Sequence, residues 1–184
     1  IIDFTNSALT KFLIKLSATV DSSDEQVIGA YFHVLNDLER IGDHAANILE
    51  VSKEMADKNI SFSEEAKQEL KVFADALSEI LELSVTAFEN EDVEAAKRVE
   101  PLEQVIDNLK KQIRAHHILR LQAGDCSIEV GFVLSDLLTN LERVSDHCSN
   151  IAGCVIDMAD NNMNLHESLR ATRENDPDFE QPFT

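Results

Sequence analysis

The stretch NDLERIGDHAANI, residues 36–48, is followed by a second version, TNLERVSDHCSNI, at residues 139–151. An offset of 103 residues aligns the two copies with the same residue at most of the charged and polar positions. The matched pairs are Leu38 with Leu141, Glu39 with Glu142, Arg40 with Arg143, Asp43 with Asp146, His44 with His147 and Asn47 with Asn150. Upstream, Ile2–Asp3 matches Ile106–Asp107 at an offset of 104 residues. The chain therefore contains an internal repeat at least two helices long.

Each copy of the motif has the periodicity of an amphipathic helix. The stripe that we predict to face inward in the first copy consists of Val34, Leu38, Ile41, Ala45 and Ile48. Glu39 and Asp43 are spaced i and i+4, so both carboxylates lie on one adjoining face of the helix. Asn47 extends that line by a further turn.

The rest of the chain is predicted to be helical too, because glycine (5) and proline (3) are scarce. After an amphipathic first segment, the predicted helices cover about 24–57, 64–88 and 92–121, and a fifth helix runs to about Asp160. Ser63 is a predicted N-cap, Gly124 a predicted C-terminal glycine, and Asp125 or Ser127 the cap that follows it. Long helices joined by short breaks form antiparallel helical bundles, so the predicted fold class is all-α.

The repeat divides the chain into three predicted parts. Residues 1–62 form a first repeat, which is incomplete because the helix preceding the second copy has no counterpart before Ile1. Residues 63–160 form a second repeat, predicted to be a three-helix bundle. Residues 161–184 are polar, contain Pro177 and Pro182, and are predicted to form a flexible tail with at most a short helix.

The charge balance restricts the partners of the chain. With Asp plus Glu at 35 and Lys plus Arg at 16, the formal net charge of −19 repels nucleic acid and anionic membrane surfaces and favours cations or a basic partner. The chain has no apolar run of about 20 residues, so we predict that it does not cross a membrane. The cysteines, Cys126, Cys148 and Cys154, show no metal-ligand spacing and fit a reducing cytoplasm.

The repeated acidic pairs predict a metal site. Two carboxylates at i and i+4 repel each other by about 0.2–0.5 kcal/mol on an exposed helix, and a hard cation compensates that charge. The second repeat has a further such pair on the preceding helix, Glu103 and Asp107, and Asp3 matches Asp107 in the first repeat. The predicted metal ligands are Glu39, Asp43, Glu142, Asp146, Asp3, Asp107 and Glu103.

Two alternatives stay open at this point. Arg40 is close in sequence to Glu39 and Asp43, so an arginine can neutralise the pair without a metal. The histidines, His44 and His147, lie about 100° around the helix from the aspartate that precedes each of them. We therefore expect them to make a supporting contact or an interhelical hydrogen bond and not to bind the same metal.

At these residues the sequence resembles the PhoU family, in which phrases close to LERIGDHA carry E(D)xxxD repeats. The phrase HHILRLQAGDCSIEVGFVLSDLLTNLERVSDHCSNIA is most similar to the PhoU-like soluble region of bacterial sodium/phosphate cotransporters. The resemblance implies a pair of three-helix bundles and multinuclear clusters of iron or zinc held by Glu39 and Asp43 in one repeat and Glu142 and Asp146 in the other. It also implies a regulator of phosphate uptake or phosphate signalling, and not a catalyst.

Three functions follow as hypotheses. The first is a metal-binding cytoplasmic regulatory domain of phosphate transport, whose partner is a membrane transporter domain or a phosphate-signalling protein. In this hypothesis a transporter segment tethers the domain to the inner membrane. A homodimer is one expected assembly. The second is a ferritin-like di-metal enzyme, which is disfavoured because Glu-x-x-His is absent: Gly42 and Ser145 stand three residues after the motif glutamates. The third is a plain helical interaction module with solvated acidic faces.

Overall fold

The computed structural model describes the backbone of residues 2–20 and 22–175 and the side chains of residues 2–20 and 25–160. This part of the chain forms five α-helices and contains no strand. The helices are α1 (Ile2–Ser17), α2 (Ser22–Asp57), α3 (Glu64–Asn90), α4 (Val93–Ala123) and α5 (Ile128–Asn175). The all-α prediction is therefore confirmed.

The break before α3 and the break between α4 and α5 occur where their capping residues predict them. Ser63 Oγ accepts a hydrogen bond from the backbone N–H of Ala66 at 3.3 Å and so begins α3. Gly124 ends α4 with φ of 81°, a left-handed conformation that a side chain would disfavour. Ser127 Oγ then accepts from the N–H of Val130 at 3.3 Å at the start of α5. These caps confirm the predicted ends of α4 and starts of α3 and α5.

The helices α3, α4 and α5 pack against one another as a three-helix bundle, α2 packs along α5, and α1 contacts α2. Large apolar side chains at 0–1% exposure form the centre of this bundle: Phe73, Ile80, Val99, Ile106, Leu134 and Leu138. Only Leu13 of α1 is buried, whereas Phe4 is 80% exposed. The second repeat therefore supplies most of the core. The first repeat is attached to the second through the contact of α2 with α5.

The inward face of α2 differs from the predicted stripe. Leu38 is 40% exposed and Ala45 is also exposed, so the prediction was wrong at these two positions. The positions at alternating three- and four-residue steps are the covered ones: Val34, Asp37, Ile41, His44, Ile48 and Val51. This spacing is that of a narrow seam between two helices, because α2 packs chiefly against the single helix α5.

The helix α5 continues beyond the predicted end at about residue 160. Its backbone is helical as far as Asn175, and residues 161–175 contain no glycine or proline that would break it. The remaining part of the predicted flexible tail, residues 176–184, lies outside the described residues. Among residues 2–20 and 22–175, no helix combines the length and apolarity that a membrane span requires.

Candidate metal site

The carboxylates of the second repeat lie together where α4 crosses the motif of α5. Glu103 and Asp107 are on α4, and Glu142 and Asp146 are on α5; all of them are partly buried. Burial raises the pKa of the Glu103 carboxyl, and the charges of Asp107, Glu100, Asp146 and Glu142 raise it further. The structure therefore brings the predicted residues of this repeat into one region, called here the acidic cluster (Glu103, Asp107, Glu142 and Asp146).

The same repulsion acts on the motif aspartate. Burial raises the pKa of Asp146, the Glu142 and Asp107 carboxylates raise it further, and Arg143 and His147 oppose the shift. Both altered carboxyls, Glu103 and Asp146, therefore lie in a field that disfavours their negative charge. Such a field attracts a cation.

Protein cations contact three of the four carboxylates of the acidic cluster. Lys110 Nζ is 2.8 Å from Glu142 Oε2, and this pair bridges α4 and α5. Arg143 Nη1 is 3.3 Å from Asp146 Oδ2, and Lys111 Nζ is 3.3 Å from Asp107 Oδ2. In the second repeat, an arginine therefore does neutralise one of the two motif carboxylates, which is the alternative that needs no metal.

The chemistry of the acidic cluster fits a hard cation, because carboxylate oxygens are the ligands that such ions prefer. Within the described side chains, however, no three His, Cys, Asp or Glu groups converge on one point as they would around a metal ion. The oxygens of Glu142 and Asp146 face Lys110 and Arg143 in this arrangement. Metal binding at these residues therefore stays a prediction.

The equivalent residues of the first repeat are more open. Glu39 is half-buried and accepts a hydrogen bond on Oε2 from Asn6 Nδ2 at 2.8 Å, whereas Asp3 and Asp43 are exposed. Ile2 of α1 packs on Gly42, where an added Cβ would be 2.6 Å from Ile2 Cδ1. These two contacts place α1 across the motif of α2, so Asp3 lies on the helix that faces Glu39. In this repeat Arg40 makes no ion pair with a described residue.

The repeated histidines and asparagines join the two repeats. His147 Nδ1 and Asn150 Nδ2 donate to Asp37 Oδ1 at 2.8 and 3.2 Å. Reciprocally, His44 Nδ1 and Asn47 Nδ2 donate to Asn140 Oδ1 at 3.0 and 3.1 Å. The two imidazoles stack between these groups, with ring centroids 5.6 Å apart. This confirms the expected interhelical hydrogen bonds of the histidines.

The acceptors of this network, Asp37 and Asn140, were not among the predicted site residues. Both are 7% exposed, and they occupy the same position of the repeat at the offset of 103 residues. Their equivalent positions in the repeat could have indicated a shared role from the sequence, although the two residues differ in type. The network gives a structural reason for the duplication of His and Asn, separate from the reason for the duplicated carboxylates.

Comparison with known proteins identifies the family. The PhoU domain matches residues 1–52 and 70–155 of the chain. The chain belongs to the PhoU family. It is 31% identical over 169 residues to the phosphate-specific transport system accessory protein PhoU homolog 1 of Thermotoga maritima, covering 85% of this chain and 72% of that protein. It is also 25% identical over 132 residues to a PhoU homolog of Deinococcus radiodurans, covering 70% of this chain and 59% of that protein.

A solved structure has the same helical architecture. The crystal structure of PhoU from Pseudomonas aeruginosa superposes with a TM-score of 0.78 at 22% identity, covering 84% of this chain and 74% of that one. At this identity the likeness concerns the fold alone. The PhoU resemblance expected from the motif is therefore confirmed for both family and fold.

The repulsion within the acidic cluster has a measurable consequence. We expect Glu103→Gln to raise the Tm of metal-free protein by about 2 °C at pH 7, because it removes a carboxylate that folding places near like charges. Because folding raises the pKa of the Glu103 carboxyl, its negative charge destabilises the folded protein fully above that raised pKa. The destabilisation disappears as the pH falls through the same pKa. The Tm difference from wild type should therefore shrink on acidification, as thermal scans between pH 4 and 7 would measure. Glu64→Gln, at an exposed residue, is the control, and a difference independent of pH would contradict the explanation.

Proposed function

We propose that this PhoU-family chain is a regulatory domain of phosphate transport that binds metal ions through the carboxylates of its repeats. The observation that supports it most is the acidic cluster, where folding holds Glu103 and Asp146 against other carboxylates although this raises the pKa of each. A stable fold has no need of such repulsion, and a site for a cation does. The family membership supplies the link to phosphate transport.

The cations proposed for this cluster are iron or zinc, and the residues that would hold them are Glu103, Asp107, Glu142 and Asp146. Asp3, Glu39 and Asp43 would form the site of the first repeat. A bound cation supplies positive charge that removes the repulsion between these carboxylates. The proposal assigns no catalytic step to the chain, in keeping with relatives that are named as accessory proteins.

The motif itself suggests how such a site would affect the rest of the domain. Asp146 is followed directly by His147, whose Nδ1 donates to Asp37 on α2 at 2.8 Å. A change in the position of Asp146 is therefore transmitted to the contact between the repeats through one peptide unit of α5. We propose that cation occupancy biases the angle between α2 and α5, and with it the surface offered to a partner.

The proposed partner is a membrane transporter domain or a phosphate-signalling protein on the cytoplasmic side. A sodium/phosphate cotransporter to which this domain is attached is the specific form suggested by the resemblance of residues 116–152. A homodimer is a further assembly to be tested by light scattering with and without metal. Co-purification of this chain with a sodium/phosphate cotransporter domain expressed alongside it would test the partner.

The decisive experiment for metal binding removes the motif carboxylates of the second repeat without changing side-chain size. We expect Glu142→Gln combined with Asp146→Asn to lower the metal content of protein equilibrated with saturating zinc by about half, since one of two sites is lost. Elemental analysis by mass spectrometry gives the stoichiometry. The matched control is Glu64→Gln with Asp75→Asn, at residues whose side chains are 79% and 71% exposed. Equal metal content in the two double variants would refute the proposed site.

A further inference from the structure

Lys110 differs from the other lysines that form ion pairs in the described part of the chain. Its side chain is 14% exposed and pairs with Glu142, which is 17% exposed. The side chains of Lys58, Lys67, Lys71, Lys97 and Lys111 are 48–78% exposed in their pairs. Lys110 therefore keeps its ammonium group within the acidic cluster, largely out of water.

The repeat shows what stands at the equivalent position of the first site. Asn6 lies 104 residues before Lys110, the same offset that relates Asp3 to Asp107. Asn6 Nδ2 donates to Glu39 Oε2 at 2.8 Å, just as Lys110 Nζ contacts Glu142 Oε2 at 2.8 Å. The same contact with the motif glutamate therefore occurs in both repeats. A neutral amide makes it in the first repeat, and an ammonium group makes it in the second.

The difference in charge matters because the two motif glutamates are held in the same way. Each motif glutamate is held by a residue of the preceding helix, and each is followed four residues later by an aspartate. A tethered ammonium can fill the space in which a cation would contact Glu142, and the amide of Asn6 has no charge to do so. Exposed Lys111, one residue later, contacts Asp107 from the solvent side and does not bridge the helices.

We infer that Lys110 is the resident cation of the acidic cluster: it holds α4 and α5 together when no metal is bound, and it competes with metal ions for Glu142. The inference deepens the proposed metal-binding function and rests on it for the competition. Asn6 leaves the first repeat without such a competitor. Lys110 therefore weakens metal binding by the second repeat, and the first repeat has no equivalent effect at this position.

The competition is tested in protein whose first site has been disabled by Glu39→Gln and Asp43→Asn, so that Mn²⁺ binding reports the second repeat. Lys110→Met removes the charge while keeping an unbranched side chain of similar helix propensity. We expect it to bind Mn²⁺ about tenfold more tightly than the same background with Lys110, because no ammonium has to be displaced. Electron paramagnetic resonance of free Mn²⁺ measures the affinity. Lys71→Met, at an exposed lysine that pairs with Asp75 outside the acidic cluster, should leave it within about twofold.

A second measurement needs no metal. In chelator-treated protein, Lys110→Met should lower the Tm by about 4–8 °C relative to Lys71→Met, since the cluster loses its internal counter-charge. Lys110→Arg, which keeps the charge, should retain most of the wild-type Tm. Equal Tm values for the two methionine variants would overturn the role of Lys110 as resident cation.

The outcomes separate this inference from the function on which it rests. Tight Mn²⁺ binding by Lys110→Met together with its low metal-free Tm would support both. Unchanged or weaker Mn²⁺ binding by Lys110→Met, in a protein that does bind Mn²⁺, would overturn the competition alone. No Mn²⁺, iron or zinc binding by any variant would overturn the proposed function and the competition with it, while the metal-free Tm comparison still decides the structural role of Lys110.

Discussion

Replacing Asp37 with alanine is expected to destabilise the protein by about 2–4 kcal/mol, because the buried His147 of α5 would lose its acceptor and the exposed Asn150 would lose its partner on α2. His147 Nδ1 and Asn150 Nδ2 both donate to Asp37 Oδ1, and the side chains of Asp37 and His147 are 10% and 9% exposed. Unmet donors that stay buried cost more than the net gain of the bonds they made. Chemical denaturation followed by circular dichroism measures the change in the free energy of unfolding.

The repeat itself provides the control for Asp37→Ala. Asn140, at the equivalent position, accepts from His44 and Asn47 through its amide oxygen. Asp37→Asn should therefore keep both hydrogen bonds and cost less than about 1 kcal/mol. If Asp37→Asn destabilised the protein as much as Asp37→Ala, the carboxylate charge and not the acceptor geometry would hold the repeats together.

This network separates two roles within one repeated phrase. The carboxylates of the motif face the preceding helix of their own repeat, where Glu39 meets Asn6 and Glu142 meets Lys110. The following histidine instead reaches the other repeat. A binding event at the first face and a contact at the second are therefore one residue apart. That adjacency gives the proposed regulation a physical route.

The sequence predicted the helices and caps well because these depend on local chemistry. Ser63, Gly124 and Ser127 act through hydrogen bonds and backbone angles within a few residues of themselves. The convergence of Glu103 with Glu142 was also predictable, since an internal repeat implies that α4 crosses α5 as α1 crosses α2. The motif spacing then fixes which side chains meet.

What the sequence did not predict depends on which helices touch. The apolar side chain of Leu38 predicts a core residue. Leu38 is nevertheless exposed, because the residue before it, Asp37, is the one that faces α5. Asp37 reads as a surface charge and is buried, because His147 and Asn150 come from a helix more than a hundred positions away. Lys110 likewise reads as one of several surface lysines until its exposure is known. Each of these depends on contacts between helices that no local pattern contains.

The largest loss of stability is expected from Phe73→Ala, at about 3–5 kcal/mol. Phe73 lies on α3 at 0% exposure within the core formed by α3, α4 and α5, so truncation would leave a cavity among residues that cannot close it without moving. That core holds α4 against α5, and it therefore holds Glu103 near Asp146. Denaturant titration should show the loss of stability, with a lower midpoint at an unchanged slope.

Phe132 offers a matched control, because it is the same residue type on α5 of the same repeat but is 73% exposed. Phe132→Ala should change the free energy of unfolding by less than about 0.5 kcal/mol, since it leaves no cavity. The contrast also tests the site, because a loosened core should weaken metal binding in Phe73→Ala while Phe132→Ala binds as wild type does. Equal destabilisation by the two variants would mean that the bundle of α3, α4 and α5 is not the main core of the protein, and that the acidic cluster is positioned by something other than this packing.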